Sequence, residues 1–352
     1  MNRPERVLVV GGGIAGLACA RALAGRGIGC DVVERSRSWP DSGTGFYLPG
    51  NSVRAASTLG IGAALLERAA RIPRQRFLDH RGRLLFEVEL PTLWRDAGAC
   101  VAIARADLHE LLRDGVHVRL ATEFAELSAE TLGAYDLVIG ADGIRSSVRA
   151  SMGGAEASFV GQASWRFVVG GADGIACWTV WLGRGKTFLA LPLGGGRVYC
   201  YADVNVPEPV DPTAGDRSEL AALFGGFDEP VGSLLAAAGP VYFSPIEEVI
   251  QRPWVRDGVV LVGDAAHAMS PNMAQGAGLA LEDALVLAGT VADGLTLEAY
   301  ETRRRGRVEF VLAQTHRRDA TRGLPPIVRN ATLRLAGRRV YRGNYAPLLR
   351  DP

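Results

Sequence analysis

The apolar positions of this chain fall into two textures. Residues 6–11 form an apolar run closed by glycine, the pattern of a parallel strand buried on both faces, and residues 14–26 carry a helical pattern. Residues 27–29 end that helix and 30–34 (CDVVE) predict the next strand, which completes a βαβ unit. A glycine-rich loop over 41–50 leads to a helix over 51–66. Residues 76–90 then alternate like an antiparallel hairpin turning at 80–82. A helix over 106–112 and a short strand over 116–120 follow. Between 159 and 204 the period changes to two, in runs such as WRFVVGG, ACWTVWLG, TFLALPLG and RVYCYADV, punctuated by glycines. That texture predicts a meander of antiparallel strands. Helices over 216–223 and 231–238 and a strand over 241–250 come next. The chain returns to a buried strand at 259–262, a long helix over 275–292, an arginine-rich helix over 297–318 and a polar tail.

These textures predict an α/β fold of two interlocked units. A Rossmann-like dinucleotide-binding domain is assembled from residues 1–72, 98–155 and 252–322. A mostly antiparallel β-sheet substrate domain is inserted as 73–97 and 156–251, and a C-terminal helical tail spans 323–352. No internal repeat or low-complexity linker separates the parts, which predicts a wide shared interface.

Charge narrows the partners. The chain carries 39 basic and 38 acidic residues, a net +1, so nothing electrostatic favours nucleic acid. Lys186 is the sole lysine, leaving one candidate for any lysine-dependent chemistry. Cys19, Cys30, Cys100, Cys177 and Cys200 are odd in number and never form CxxC, which argues against a disulfide framework or metal site and fits a reducing compartment. No apolar run approaches the ~18 residues of a membrane span. The start of the chain enters a strand without a signal peptide. The expectation is a cytoplasmic protein with no membrane partner, a monomer or simple homodimer.

Three segments carry chemistry. Gly11, Gly13 and Gly16 satisfy GxGxxG between a strand and a helix, where absent side chains permit a tight turn and let backbone N–H groups approach a pyrophosphate. Glu34 ends the second strand, placed to accept both hydroxyls of an adenosine ribose. Arg35 beside it would suit a 2′-phosphate, so the pair leaves the nucleotide open. Asp142–Gly143 and Gly263–Asp264 each follow an apolar strand, and Gly276 and Gly278 open a long helix whose amino terminus can stabilise negative charge.

In order and separation, these segments resemble the GxGxxG, DG and GD motifs of the para-hydroxybenzoate hydroxylase family, the single-component FAD-dependent aromatic monooxygenases. The likeness runs from residue 6 to about 318, with salicylate-hydroxylase-like and urate-hydroxylase-like members nearest in texture. It implies the GR2-type FAD-binding fold of that family. It also implies an FAD reduced by NADPH or NADH that captures O₂ as a C4a-hydroperoxide and hydroxylates an aromatic or heteroaromatic small molecule. By the resemblance, Gly11, Gly13, Ile14, Ala15 and Gly16 hold the pyrophosphate and Glu34 the ribose, with Arg35 adjacent. Arg105 reaches toward the ribityl-phosphate region, Phe124 contacts adenine through backbone, and Asp142 serves FAD and the nicotinamide nucleotide. Asp264 binds the ribityl chain, Gly276, Ala277 and Gly278 face the flavin N1–C2=O edge, and Pro271 lies near flavin and substrate. Gly43, Gly45, Phe46 and Tyr47 resemble a mobile loop beside the isoalloxazine, although Pro49-Gly50-Asn51 replaces the family's proline-asparagine there. No second GxGxxG occurs, as the resemblance requires.

Substrate contacts are read more loosely. Trp165, Arg166, Phe167, Trp178, Trp181, Phe188, Tyr199 and Tyr201 offer aromatic faces and one cation, with Tyr47, Arg166, Phe188, Tyr199 and Pro271 as pocket candidates. The competing expectation is that half of the set packs the sheet against helices. His267 is expected to hold backbone rather than act as a base. His80, His109, His117 and His316 read as surface residues, and the arginines over 303–307 and 317–322 as a solvated face. Two alternatives stand beside the hydroxylase: a reductase or dehydrogenase of the same fold, and a flavin-dependent halogenase. The halogenase is disfavoured by the missing WxWxIP segment.

Overall fold

The first apolar run becomes the centre of a parallel sheet. In the computed structural model, which describes residues 3–39, 44–171, 174–211 and 215–352, strand β1 (Val7–Val10) is buried along its whole length. It lies between β2 (Asp31–Val33) and β9 (Leu137–Gly140), parallel to both. Strand β8 (Val118–Arg119) extends the sheet beyond β2, and β16 (Val259–Leu261) beyond β9. An antiparallel β15 (Val255–Arg256) closes that edge. Three segments far apart in sequence thus present their carboxyl ends at one sheet edge, where open α/β sheets bind ligands. Helix α1 (Ile14–Ala24) packs here against α5 (Arg105–Arg113) and α11 (Gly276–Ala292).

The period-two region forms a seven-stranded sheet. Its order is β14 (Tyr242–Glu248), β10 (Ser158–Val169), β13 (Arg197–Asn205), β12 (Lys186–Gly194), β11 (Trp178–Leu182), β5 (Arg74–Asp79) and β6 (Leu84–Glu89). All pairs are antiparallel except β11 with β5. Helices α8 (Arg217–Phe224) and α9 (Val231–Ala236) add Leu220, Phe224, Val231 and Leu234 to a second core, shared with Trp165, Phe167, Trp181 and Phe188 of the sheet. A small third sheet, β3 (Gly45–Leu48), β7 (Val101–Ala104) and β4 (Ala70–Arg71), packs against β12 through β7 and β4.

Some expected elements differ. Of the loop expected over 41–50, Gly45–Leu48 is strand β3, paired antiparallel to β7; residues 40–43 lie outside the described residues. The helix expected over 51–66 is two, α2 (Gly50–Thr58) and α3 (Gly62–Arg68), broken at Gly60, whose φ of +80° suits glycine. Short helices α4 (Leu90–Leu93), α6 (Ala129–Ala134), α7 (Ser147–Ser151) and α10 (Asp264–His267) fill connections. The arginine-rich helix is α12 (Leu297–Thr321). The tail is α13 (Pro326–Tyr345), laid on β6 so closely that a Cβ at Gly337 would stand 2.5 Å from the Phe86 ring. Among the described residues no helix is long and apolar enough to cross a membrane.

Candidate functional site

The glycine turn is built for backbone contact. Gly11 has φ +110° and a Cβ there would stand 2.4 Å from the Ala141 carbonyl oxygen, while one on Gly16 would meet the Gly11 oxygen at 1.9 Å. Gly13, by contrast, faces open space. Helix α1 starts there with no side-chain cap and no acidic residue in its first turn, so the N–H groups of Ile14, Ala15 and Gly16 point outward with no partner among the described residues. Glu34 steadies the turn: its carboxylate accepts from the Gly12 N–H at 2.8 Å and the Ser36 N–H at 2.9 Å. Burial pushes this carboxyl up, yet the Ser36 and Gly12 N–H groups prevail and hold it below the usual range. Arg35 is exposed.

One expectation fails beside this turn. His109 is buried rather than on the surface, with Nε2 2.8 Å from the Gly12 oxygen and its ring 4.7 Å from Trp39. Burial lowers its pKa, so the neutral ring donates Nε2–H to that carbonyl. Its pairing with Gly12 across 97 residues leaves no local signal in sequence. Phe124 is half-buried against the main core.

The two aspartates after strands part company. Asp142 turns its carboxylate back: Oδ2 accepts from the N–H groups of Ser147 at 2.7 Å and Val148 at 3.2 Å, while Oδ1 is buried without a partner among the described residues. Its neighbours Ala141, Gly143 and Ile144 line the cavity. Asp264 opens α10 and points into the cavity, with no hydrogen-bond partner among the described residues. Gly263 before it has φ +57°, and a Cβ there would stand 2.8 Å from the Cβ of Ala15, so only glycine lets the strand end come this close to the turn.

Helix α11 begins without a side-chain cap or an acid in its first turn. Gly276 and Ala277 line the cavity with Pro271. Gly278 does not; it lets α11 pack on α2, where a Cβ would meet the Ser52 hydroxyl at 2.1 Å. Buried Asn51, from the segment that departs from the family pattern, donates to Gln275 Oε1 and Glu282 Oε1, both at 3.0 Å. Opposite, Gly45, Phe46 and Tyr47 of β3 line the cavity, and the Arg105 guanidinium stacks over Phe46 at 5.3 Å. Gly43 lies outside the described residues.

Strand parity sorts the aromatic candidates. Arg166, Trp178, Tyr199 and Tyr201 face the cavity with Tyr47. Trp165, Phe167, Trp181 and Phe188 point to the other side of the same sheet. Phe188 is therefore not a pocket residue: it is wholly buried among Trp181, Phe167 and Phe224. The cavity encloses about 1170 Å³ and runs from Gly13 and Ala15 past Asp264 and Pro271 to Phe77, Leu189 and Tyr341. That exceeds the ~300–1,000 Å³ of a site for one drug-sized ligand.

The arginine helix corrects another expectation. Arg304 is fully buried; Nε donates to Asp283 Oδ1 at 2.7 Å and Nη1 to Glu282 Oε2 at 3.0 Å. Arg307 donates to both oxygens of Glu282, each at 2.7 Å. His267 belongs to this cluster, its Nε2 2.8 Å from Asp283 Oδ2, and it does not reach the cavity. Burial raises the Asp283 carboxyl, but the His267 and Arg304 charges outweigh it and hold it at about 2. Arg322, expected on a solvated face, is largely buried and pairs with Asp203 at the cavity's far end. Of the remaining histidines, His316 is exposed beside Glu248.

The Gly13 turn, Asp264 and the uncapped start of α11 line one cavity at the carboxyl edge of the parallel sheet, the setting of a dinucleotide-dependent oxidoreductase. The family described as FAD binding domain matches residues 5–315. The 2-heptyl-3-hydroxy-4(1H)-quinolone synthase of Pseudomonas aeruginosa is 33% identical over 336 residues, covering 88% of this chain and 87% of that one. The 3-amino-4-hydroxybenzoate 2-monooxygenase PtmB3 of Streptomyces platensis is 35% identical over 357 residues, covering 92% and 88%. The crystal structure of Klebsiella pneumoniae HpxO complexed with FAD and uric acid superposes with a TM-score of 0.87 at 27% identity, covering 99% and 97%. The chain belongs to the FAD binding domain family and is an FAD-dependent aromatic monooxygenase. FAD is its cofactor and NAD(P)H its electron donor.

Proposed function

We propose that the cavity seats FAD and a planar aromatic or heteroaromatic substrate end to end. The free N–H groups of Ile14, Ala15 and Gly16 hold the pyrophosphate. Glu34 takes the adenosine ribose, and Asp264 a ribityl hydroxyl. Gly276 and Ala277, with Pro271, stand at the flavin edge, where the α11 amino terminus favours negative charge. When bound, FAD accepts electrons from NADH or NADPH and activates O₂. The protein's part is to exclude water and hold the ring in place. Sheet membership supports a cofactor unit of residues 1–72, 98–155 and 252–322 and a substrate unit of 73–97 and 156–251.

One observation carries the substrate reading. Tyr201 and Trp178 line the cavity, yet the Tyr201 hydroxyl and Trp178 Nε1 are buried without a partner among the described residues. Leaving such groups unpaired costs ~1–3 kcal/mol each, which a ligand with a hydrogen-bonding edge relieves. Leu189, Leu191 and Val180 supply flat apolar contact beside them. The Arg166 guanidinium lies over the rings of Tyr201 and Tyr242, at 5.9 and 5.6 Å, and suits an acidic or enolic substituent. The test is NAD(P)H oxidation by FAD-loaded protein with hydroxybenzoates, purines and quinolones under isotopically labelled O₂. Stimulated oxidation with one labelled oxygen in the product is expected. Stimulation without oxygen incorporation would move the protein to the reductase reading.

A further inference from the structure

Helix α13 turns two unlike faces in opposite directions. Its inner face, with Arg329, Leu333, Gly337 and Tyr341, walls the cavity. On its outer face Ile327, Val328, Ala331 and Leu335 recur at helical spacing and share one side. Ile327 is 85% exposed, Val328 53% and Leu335 90%, the most open large apolar side chains among the described residues apart from Tyr242. The next turns on that side carry Arg338, Arg339 and Arg342. Helix α13 holds five arginines and no acid, and residues 322–352 hold seven arginines and one aspartate, a net +6 in a chain of net +1. Arg339 and Arg342 have no acidic partner among the described residues.

We propose that α13 docks this protein on an anionic lipid bilayer, with Ile327, Val328 and Leu335 in the headgroup–acyl boundary and the following arginines on lipid phosphates. An exposed apolar patch beside unpaired arginines is the make-up of an interfacial helix. Charge complementarity selects the occupant: the same face of a second copy offers these arginines no carboxylate, since α13 has no acid, whereas an anionic surface neutralises them. Leu324 and Val340 both line the cavity and face solvent, so docking sets the cavity rim against the lipid. Entry of an apolar aromatic substrate from the bilayer would then follow, a consequence that rests on the substrate reading above.

The test is co-sedimentation of the FAD-loaded full chain, without substrate, with vesicles of phosphatidylglycerol and phosphatidylcholine or of phosphatidylcholine alone. Binding to the anionic vesicles only, weakening as salt rises, is the expected result. Arg339→Ala and Arg342→Ala should each weaken it about fivefold. The double variant Ile327→Glu/Leu335→Glu should abolish it while keeping wild-type melting and FAD content. Absence of wild-type binding to anionic vesicles overturns the proposal, as does wild-type binding by the double variant. A dimer in light scattering that the double variant splits assigns the face to a second copy instead. Since no substrate is present, none of these outcomes alters the hydroxylation reading.

Discussion

Asp264 is a carboxylate held at the cavity by its backbone, with no side-chain hydrogen bond to lose among the described residues. Asp264→Ala should therefore melt like the wild type while flavin titration shows FAD binding weakened roughly 10- to 100-fold, the worth of hydrogen bonds to a charged group. Unchanged affinity would move the ribityl contact elsewhere. Tyr201→Phe and Phe188→Leu test the two faces of the sheet. Removing the Tyr201 hydroxyl should cost about tenfold in kcat/KM toward the best substrate. Phe188→Leu should lower the melting temperature and leave the ranking of substrates unaltered, because its ring touches only the second core. A changed ranking would return Phe188 to the pocket.

Helices α11 and α12 are locked by charges rather than by apolar contact alone. Arg304 bridges Glu282 and Asp283 where neither can reach water, so Arg304→Met leaves Glu282 to Arg307 and Asp283 to His267 alone and should destabilise by roughly 3–5 kcal/mol in denaturant titration. Asp283 gives the same cluster a pH dependence. Its folded pKa of about 2 lies below the ~3.9 of an unfolded aspartate, so the folded state binds fewer protons between those values. Stability from this group is complete above pH ~4 and is lost as pH falls through ~2, on the order of 2 kcal/mol. Urea midpoints measured across that range should fall in the wild type and lose this component in Asp283→Asn. A second junction uses neutral donors: Gln162 of β10 and Asn272 both donate to Asp319 of α12, which ties the strand, the Pro271 segment and the helix together.

Across the whole molecule, function depends on two sheets meeting over one cavity. The parallel sheet supplies turn, aspartate and helix terminus; the antiparallel sheet supplies a wall of alternating side chains; α13 closes the far end. Helix α13 carries no continuous apolar run, because its apolar residues are interleaved with arginines, so it suits a membrane surface and not a membrane span.

Much of this was legible in sequence because it is local. A strand, a glycine turn and a helix announce themselves within a few residues, since the same backbone sterics that require Gly11 and Gly16 also space them. The order of three such motifs identified the family, and the change of hydrophobic period marked the second sheet. Parity along each strand was equally visible, with Trp165 and Phe167 on one side and Arg166 on the other. Which side met the cavity was not, because that depends on where α8 and α9 dock. His109 and Arg304 escaped for a related reason: a polar residue reads as exposed until its partner arrives, and theirs come from Gly12 and from α11. Sequence by itself determined the elements, the dinucleotide turn and the class of chemistry, all set by short-range sterics and periodicity. The tertiary structure alone decided which buried charges are paired, which face of the sheet binds and which face of α13 remains open, since burial and pairing are properties of two segments brought together.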